Sequence, residues 1–175
     1  MKSYKTLVNL SMNPTTLSTI LEILDTQRAH VRKVLNELTN DACNWNPQAD
    51  KNSVAVLIEH LTGSEAYWIQ ELILGQKINR VRDKEFEYRY RSKKELKTAY
   101  EYLSKSTRDI LNNKLNDSNL MEQRPVKNGS KTVLWILLHM VEHNYYHIGQ
   151  INYLAGLLKG DKFLERPRIM FEEKN

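Results

Sequence analysis

Four long stretches with an apolar residue at every third or fourth position constrain the fold of this chain more than any other feature. They cover approximately residues 15–39, 52–75, 92–115 and 130–158. Because an α-helix turns once in about 3.6 residues, this spacing places the apolar side chains on one face of a helix. No part of the chain carries a strong β-strand signal. The sequence therefore predicts an all-α fold, namely a four-helix bundle.

The connection between the second and third predicted helices is long and basic. It covers residues 77–91, and at about 3.3 Å per residue it can reach about 50 Å. A helix of about 24 residues is only about 36 Å long. The connection can therefore cross the whole bundle, and the two helices need not be antiparallel neighbours. Phe86, Tyr88 and Tyr90 alternate with charged residues, which allows a short extended segment there.

Local signals set the remaining boundaries. Residues 40–52 and 116–129 are polar and rich in residues that interrupt helices, so we predict loops there. Ser92 is followed three residues later by Glu95. This spacing is that of a capping box, which predicts the start of the third helix.

Length and composition exclude several classes of protein. The 175 residues fit one domain, which we assign to residues 1–160, followed by a charged tail at 161–175. A single cysteine excludes an internal disulfide framework and a thiolate zinc cluster. No apolar run approaches the ~18 residues of a membrane helix, and we find no secretory signal. We therefore expect a cytoplasmic protein without membrane contact, whose net charge of +5 permits an anionic partner without requiring one.

The fourth predicted helix is apolar on nearly its whole circumference. One side carries Leu134, Leu137, Val141, Tyr145 and Ile148, and the other carries Ile136, Met140, Ile151 and Leu154. A helix that is apolar on two sides lies deep in a bundle or at a contact between subunits. The pattern alone leaves both positions open.

The central turns of this helix contain His139, His143 and His147. Side chains four residues apart lie on one face of a helix, about 6 Å apart along its axis, so two adjacent imidazoles can meet one cation. The outer two are about 12 Å apart along the axis and cannot share an ion. A third ligand must come from another helix. His60 lies on the inward face of the second helix, whereas we place His30 on a solvent face of the first.

The residue pattern therefore predicts a metal site formed by His60, His143 and His147. Three neutral histidines and an open coordination position are typical of a catalytic divalent metal. The acidic residues of the helices are poorly placed to add a ligand, because they point away or lie several turns from the histidines; these are Glu59, Glu65, Glu71 and Glu142. The residues alone leave zinc, nickel, manganese and iron open.

Three segments resemble the DinB-like (DinB/YfiT) proteins. The segment LLHMVEHNYYHIGQINYL is similar to the last-helix motif of that family, a His-x-x-x-His followed by x-Gly-Gln. The segment SVAVLIEHLTGSEAYWI resembles its second helix, which carries a lone His, and NWNPQADKNS resembles the loop before it. The resemblance covers roughly residues 15–158.

The resemblance implies a four-helix bundle with a long crossover between helices two and three, often assembled as a homodimer. It also implies a divalent metal, commonly nickel or zinc, on the positions that match His60, His143 and His147. Some members of the family are transferases that use low-molecular-weight thiols, whereas others are isomerases or have no known activity. The founding members are induced by DNA damage.

Four further residues are candidates for the surroundings of the site. We expect Gln150 to hydrogen-bond the site or to close a helix contact, and His139 to form a pocket wall or to orient a ligand. Ser64 and Tyr67 share the face of His60 and are candidates for the pocket lining. We expect Cys43 to be a bystander thiol because it has no evident base partner.

Three functions compete at this point. The first is a metal-dependent enzyme, a thiol S-transferase or a hydrolase, that acts on a small molecule; the sequence identifies no catalytic base. The second is nucleic-acid binding through the basic and aromatic residues of 77–97. Four acidic residues dilute that charge, so we favour a solvated crossover or a lid over the metal site instead. The third is a catalytically silent dimeric scaffold related to stress or DNA damage.

Overall fold

The structure, a computed structural model, describes residues 15–87 and 89–160. Five α-helices lie in this range: α1 (Thr16–Glu37), α2 (Asn40–Asn44), α3 (Val54–Ala66), α4 (Lys93–Asn113) and α5 (Val133–Lys159). Two strands, β1 (Gln123–Val126) and β2 (Gly129–Thr132), form one antiparallel pair. A π-helical segment, Tyr67–Ile73, continues α3, and two 3-10 turns cover Arg82–Phe86 and Asp117–Met121. The all-α prediction is confirmed, since α1, α3, α4 and α5 are the four long helices of the bundle.

The packing of the core gives the direction of each long helix. One cluster of buried apolar residues combines the C-terminal half of α1, the N-terminal halves of α3 and α4, and the C-terminal half of α5. The second cluster combines the opposite halves. Helices α1 and α5 are therefore parallel, and α3 and α4 run parallel to each other in the opposite direction. The segment between Leu74 and Ser92 accordingly runs back along the bundle, as its length predicted.

Helix termini follow the local signals closely. The Ser92 hydroxyl accepts a hydrogen bond from the Glu95 backbone N–H, and the Glu95 side chain binds back to Ser92, so the predicted capping box is present. The Thr132 hydroxyl accepts from the Trp135 N–H and starts α5. Gly160, with a φ of +84°, ends α5 in a backbone region that favours glycine.

Two segments that we predicted as loops contain regular structure. Residues 40–44 form the short helix α2, because the Thr39 hydroxyl caps it by accepting from the Ala42 N–H. In the second segment β1 and β2 form a hairpin, so α5 begins at Val133 rather than near Ser130. The hairpin is short and mostly exposed, and it therefore lacks the apolar alternation by which a half-buried strand is recognised.

Phe86 does not lie in the short extended segment that the alternation allowed, although Glu87 has an extended backbone. Residues Arg82–Phe86 form a 3-10 turn, while Tyr88 lies outside the described residues. The turn places Glu85 in a buried position against α3. A tertiary contact, rather than the alternation of aromatic and charged residues, therefore determines the local conformation.

A buried ion pair crosses the centre of the bundle. The Arg28 guanidinium of α1 donates to the Glu65 carboxylate of α3 at 2.6 Å, and each side chain is only 1% exposed. Asp25 also accepts from Arg28, at 3.3 Å, although it is partly exposed and pairs with Arg108 as well. The pair links α1 to α3 and accounts for the orientation of Glu65 away from the histidines.

Helix α5 lies in the bundle with both of its predicted apolar sides turned inward. The residues of these two sides are buried or half-buried in the core. A further stripe on the remaining face is exposed and still carries large apolar side chains, namely Trp135, Leu138, Tyr146, Tyr153 and Leu157. None of the helices within residues 15–87 and 89–160 has the length and apolar character needed to cross a membrane.

Candidate metal centre

The structure brings the three predicted histidines together. His60 comes from α3, and His143 and His147 come from successive turns of α5. The Nε2 atoms of His60 and His143 are 3.1 Å apart, and one ring nitrogen of each of the three residues lies within 4.8 Å of the other two. Two nitrogens bound to one ion at about 2.1 Å, at tetrahedral or octahedral angles, are about 3.0–3.4 Å apart. The His60–His143 distance has this value, and the wider limit of 4.8 Å for the set requires His147 to approach slightly on binding; these three histidines could hold a metal ion.

A carboxylate from the crossover orients His60. The Nδ1 atom of His60 lies 2.8 Å from Glu85 Oε2, and Arg80 donates to both oxygens of Glu85, at 2.6 and 2.9 Å. Burial alone would raise the pKa of Glu85, but the hydrogen bonds from Arg80 and His60 lower it below its usual range. An ionised Glu85 accepts, so the His60 Nδ1 must donate. The lone pair of Nε2 is therefore left free toward His143.

The approach of Glu85 to α3 depends on Gly63. A Cβ atom at this position would lie 2.2 Å from Glu85 Oε1 and 3.2 Å from Arg80 Nε. Real Cβ atoms do not approach a neighbour at 2.2 Å, so any side chain here must displace the carboxylate. The absence of a side chain on α3, one turn after His60, creates the space that Glu85 occupies.

The two histidines of α5 differ in whether their Nδ1 atom has a hydrogen-bond partner. The Nδ1 atom of His147 lies 2.7 Å from Gln150 Oε1, so a donating Nδ1 leaves Nε2 free as a ligand atom. The Nδ1 atom of His143 is buried and has no hydrogen-bond partner among the described residues. Its Nε2 atom faces His60. Gln150 therefore contacts the triad directly, in the orienting position that we expected for it.

All three imidazoles are neutral at pH 7. Burial, together with the nearby His147 and His60, lowers the pKa of His143 to about 3. Burial also lowers the pKa of His60 and of His147 below the ordinary histidine value, despite the hydrogen bonds that these rings donate to Glu85 and Gln150, which oppose the shift. Neutral imidazole is the form that binds a metal. The triad is thus prepared to accept a cation without first losing protons.

Aromatic rings surround the three histidines. The Phe86 ring lies 4.8 Å from the His60 ring, and the Tyr146 ring lies 5.1 Å from the His147 ring. His139 is not part of the triad, because its ring centroid is 6.3 Å from that of His143. It stacks on Trp135 at 4.9 Å, so it forms part of the aromatic wall.

Ser64 and Tyr67 lie near the site without contributing to the histidine cluster. The Ser64 hydroxyl donates to the Leu61 carbonyl of its own helix at 3.1 Å. The Tyr67 ring lies 5.6 Å from the Arg80 guanidinium, so it packs against the ion pair that supports His60. Tyr67 therefore contacts the support of His60, whereas the Ser64 hydroxyl is bonded within its own helix.

Two residues outside the site differ from their predicted surroundings. His30 is half-buried and its Nε2 atom hydrogen-bonds to Asn152 Oδ1 of α5, so our placement of His30 on a solvent face was wrong. Cys43 lies in α2 rather than in a loop, and its side chain is fully buried. Burial raises the pKa of the Cys43 thiol to about 11, which agrees with a bystander role.

The residues that support His60 were not predicted from the sequence; they are Arg80, Glu85, Phe86 and Gly63. Three of these residues lie in or beside the 3-10 turn of the crossover, for which we had considered a lid over the site. A crossover has no helical period, so its sequence does not reveal which side chain points inward. The one local signal is the glycine inside α3, since a glycine within a helix is commonly retained where another group approaches closely.

Comparisons with known proteins agree with this description. Residues 12–166 match the family described as "Protein of unknown function (DUF1572)". The fold is similar to that of a DinB-like protein from Bacillus cereus, with a TM-score of 0.69 and 16% identity over 84% of this chain and 95% of that one. It is also similar to a conserved protein from Enterococcus faecalis, with a TM-score of 0.67 and 17% identity over 84% of this chain and 99% of that one. No curated protein matches the sequence.

The family match covers most of the chain, whereas the two solved structures are too distant in sequence to show more than the fold. The similarity that we noted from the histidine motifs is confirmed at the level of the fold. The chain therefore belongs to the DUF1572 family and has the DinB-like four-helix fold.

Proposed function

We propose that this protein is a metal-dependent enzyme that acts on a small molecule, either as a thiol S-transferase or as a hydrolase. A divalent ion, nickel or zinc, would be held by His60, His143 and His147. The observation that supports the proposal is the convergence of three neutral imidazoles, two of which have their Nδ1 atoms engaged by Glu85 and Gln150. Such supporting bonds are typical of metal-ligating histidines.

The residues of the chain define what the site would do. Three protein ligands leave a coordination position open for a substrate or a thiol. A bound divalent ion would lower the pKa of a water or thiol at that position. Glu85 keeps the His60 lone pair directed into the site, and the Phe86 ring covers the His60 ring at 4.8 Å.

Metal analysis of the purified protein tests this proposal. After incubation with nickel or zinc and removal of excess ion, we expect about one ion per chain in the wild type, because three ligands are present. We expect none to be retained by the variant His60→Ala/His143→Ala/His147→Ala. The variant His30→Ala is the matched control, since His30 bonds to Asn152 outside the site and should leave the metal content unchanged.

An activity screen completes the test. The loaded wild type and the triple variant are incubated with a thiol and an electrophile, or with an ester, and product is measured. A wild type that retains no divalent ion would contradict the proposal. Equal metal content in the triple variant, with a helical circular dichroism spectrum in both proteins, would also contradict it.

The crossover is better suited to a structural role than to binding nucleic acid. Arg80 pairs with Glu85, and both Arg89 and Arg91 pair with Glu59 of α3. Three cations are therefore paired with two carboxylates within the protein, which leaves less positive charge to contact phosphates. This pairing counts against nucleic-acid binding by the crossover.

We also propose that a second copy of this chain packs on the exposed apolar stripe of α5. Trp135 and Leu157 are equidistant from Tyr146 in the sequence, and Leu138 and Tyr153 nearly so. An antiparallel arrangement about Tyr146 would thus place apolar side chains opposite each other along about 33 Å of helix. This self-complementarity is what a two-fold interface requires.

Sedimentation equilibrium tests the assembly. We expect a dimer mass for the wild type at micromolar concentration and a dimer dissociation constant at least about tenfold higher for Leu138→Glu, since a charge would be buried in the contact. Tyr102→Glu is the matched control, because Tyr102 is an exposed apolar residue on α4, away from the stripe. A monomeric wild type, or equal effects of both substitutions, would overturn the dimer.

A further inference from the structure

Arg82 places a positive charge at the edge of the histidine cluster. We propose that its guanidinium binds an anionic oxygen group, such as a carboxylate, on the substrate, so that the substrate class is a small organic anion. This inference rests on the proposed function, because it needs an ion in the triad as the second point of attachment.

The position of Arg82 follows from two ring contacts. Its guanidinium carbon lies 5.0 Å from the centroid of the Phe86 ring, and that ring lies 4.8 Å from the His60 ring. The guanidinium is therefore stacked on the ring that covers one metal-ligating histidine. The charge of Arg82 is also among the lesser causes that lower the pKa of His60 and of His147, which agrees with its position near both rings.

The guanidinium is available to a ligand. Its side chain is 63% exposed, and within the described parts of the chain the carboxylate found within 4.0 Å is that of Asp83, which is 96% exposed. A pair this exposed contributes little to stability and exchanges readily with water. By contrast, Arg80, Arg89 and Arg91 are committed to Glu85 and Glu59. The Phe86 ring holds the Arg82 guanidinium in place without neutralising it.

The charge balance of the site favours an anion. The three imidazoles are neutral ligands, and the negative charge of Glu85 is balanced by its ion pair with Arg80. The ligand set therefore leaves the charge of a divalent ion uncompensated, unlike a set that includes a carboxylate. Arg82 adds a further positive charge beside Phe86, whose ring lies against that of His60. A substrate could place its metal-binding atom on the ion and a nearby anionic group on Arg82. Such a substrate would compensate both positive charges.

Binding to the cobalt-loaded full-length protein tests the assignment. The probes are mercaptoacetate and mercaptoacetamide, which differ in carrying a carboxylate or a neutral amide, and binding is followed by the visible absorbance of cobalt. The preference is the ratio of the two dissociation constants. We compare this ratio between the wild type and each variant. The two thiols also differ in their intrinsic affinity for cobalt, but that difference is the same in every protein and cancels.

We expect the preference for mercaptoacetate to fall about tenfold in Arg82→Gln, because a charge-assisted hydrogen bond is lost. Arg82→Lys should retain part of the preference, since the charge stays. The matched control is Lys84→Gln, which removes one positive charge from the same 3-10 turn at an exposed position. It should change the preference less than about twofold, because exposed charges at longer range are screened.

The outcomes separate this inference from the proposed function. A wild type that binds no cobalt overturns both, because the second point of attachment is lost. A wild type that binds cobalt and both probes, but whose preference is unchanged in Arg82→Gln or falls equally in Lys84→Gln, overturns the role of Arg82 alone. In that case the Arg82–Phe86 contact is packing only.

Discussion

Replacing Glu65 by alanine is expected to lower the free energy of unfolding by about 3–5 kcal/mol. The carboxylate of Glu65 and the guanidinium of Arg28 are each only 1% exposed, and they lie 2.6 Å apart. Removing the carboxylate leaves a buried guanidinium without its main partner, and the penalty of keeping that charge out of water is then uncompensated. Asp25 offsets little of this, because it is 30% exposed and also pairs with Arg108.

Urea denaturation, followed by circular dichroism, measures this effect. Asp50→Ala is the matched control, since it removes the carboxylate of an exposed pair with Lys51 and should cost less than about 1 kcal/mol. The double variant Arg28→Met/Glu65→Leu should recover much of the lost stability, because it removes both charges together. A cost below about 1 kcal/mol for Glu65→Ala would show that the pair is hydrated rather than buried.

Replacing Glu85 by glutamine is expected to weaken metal binding by about 10–100-fold while the helical fold is retained. The carboxylate accepts from His60 Nδ1 at 2.8 Å and is held by Arg80. Without the negative charge, the ring is less firmly oriented and its Nε2 atom is a weaker donor to the ion. Competition with a chelator of known affinity at pH 7 measures the change.

Gly63→Ala is also expected to weaken metal binding, because it displaces the Glu85 carboxylate instead of removing its charge. Its methyl group would lie 2.2 Å from Glu85 Oε1, so the carboxylate must move away from His60. Gly149→Ala is the matched control, because it also adds a methyl group within a helix but meets no atom within 4 Å. If Gly63→Ala binds metal as tightly as Gly149→Ala does, the contact between Glu85 and His60 does not support the site.

The helices and the two metal-ligand candidates of α5 could be predicted because they depend on local regularity. The period of the apolar residues indicates four helices, and the capping signal at Ser92 marks the start of α4. His143 and His147 are neighbours on any helix that contains them both. The apolar residues around His60 place it on the inward face of its helix. His60 could therefore be predicted as the third metal ligand.

The hairpin, the position of His30 and the support of His60 could not be predicted, because each depends on contacts between distant parts of the chain. His30 hydrogen-bonds to Asn152, which lies on another helix. Glu85 and Arg80 belong to a crossover without any periodic pattern, and both side chains lie against α3 at Gly63. The amino-acid order thus determined the helices and the candidate ligands. The tertiary structure decided which carboxylate reaches His60, since only packing brings a non-periodic segment to one place on a helix.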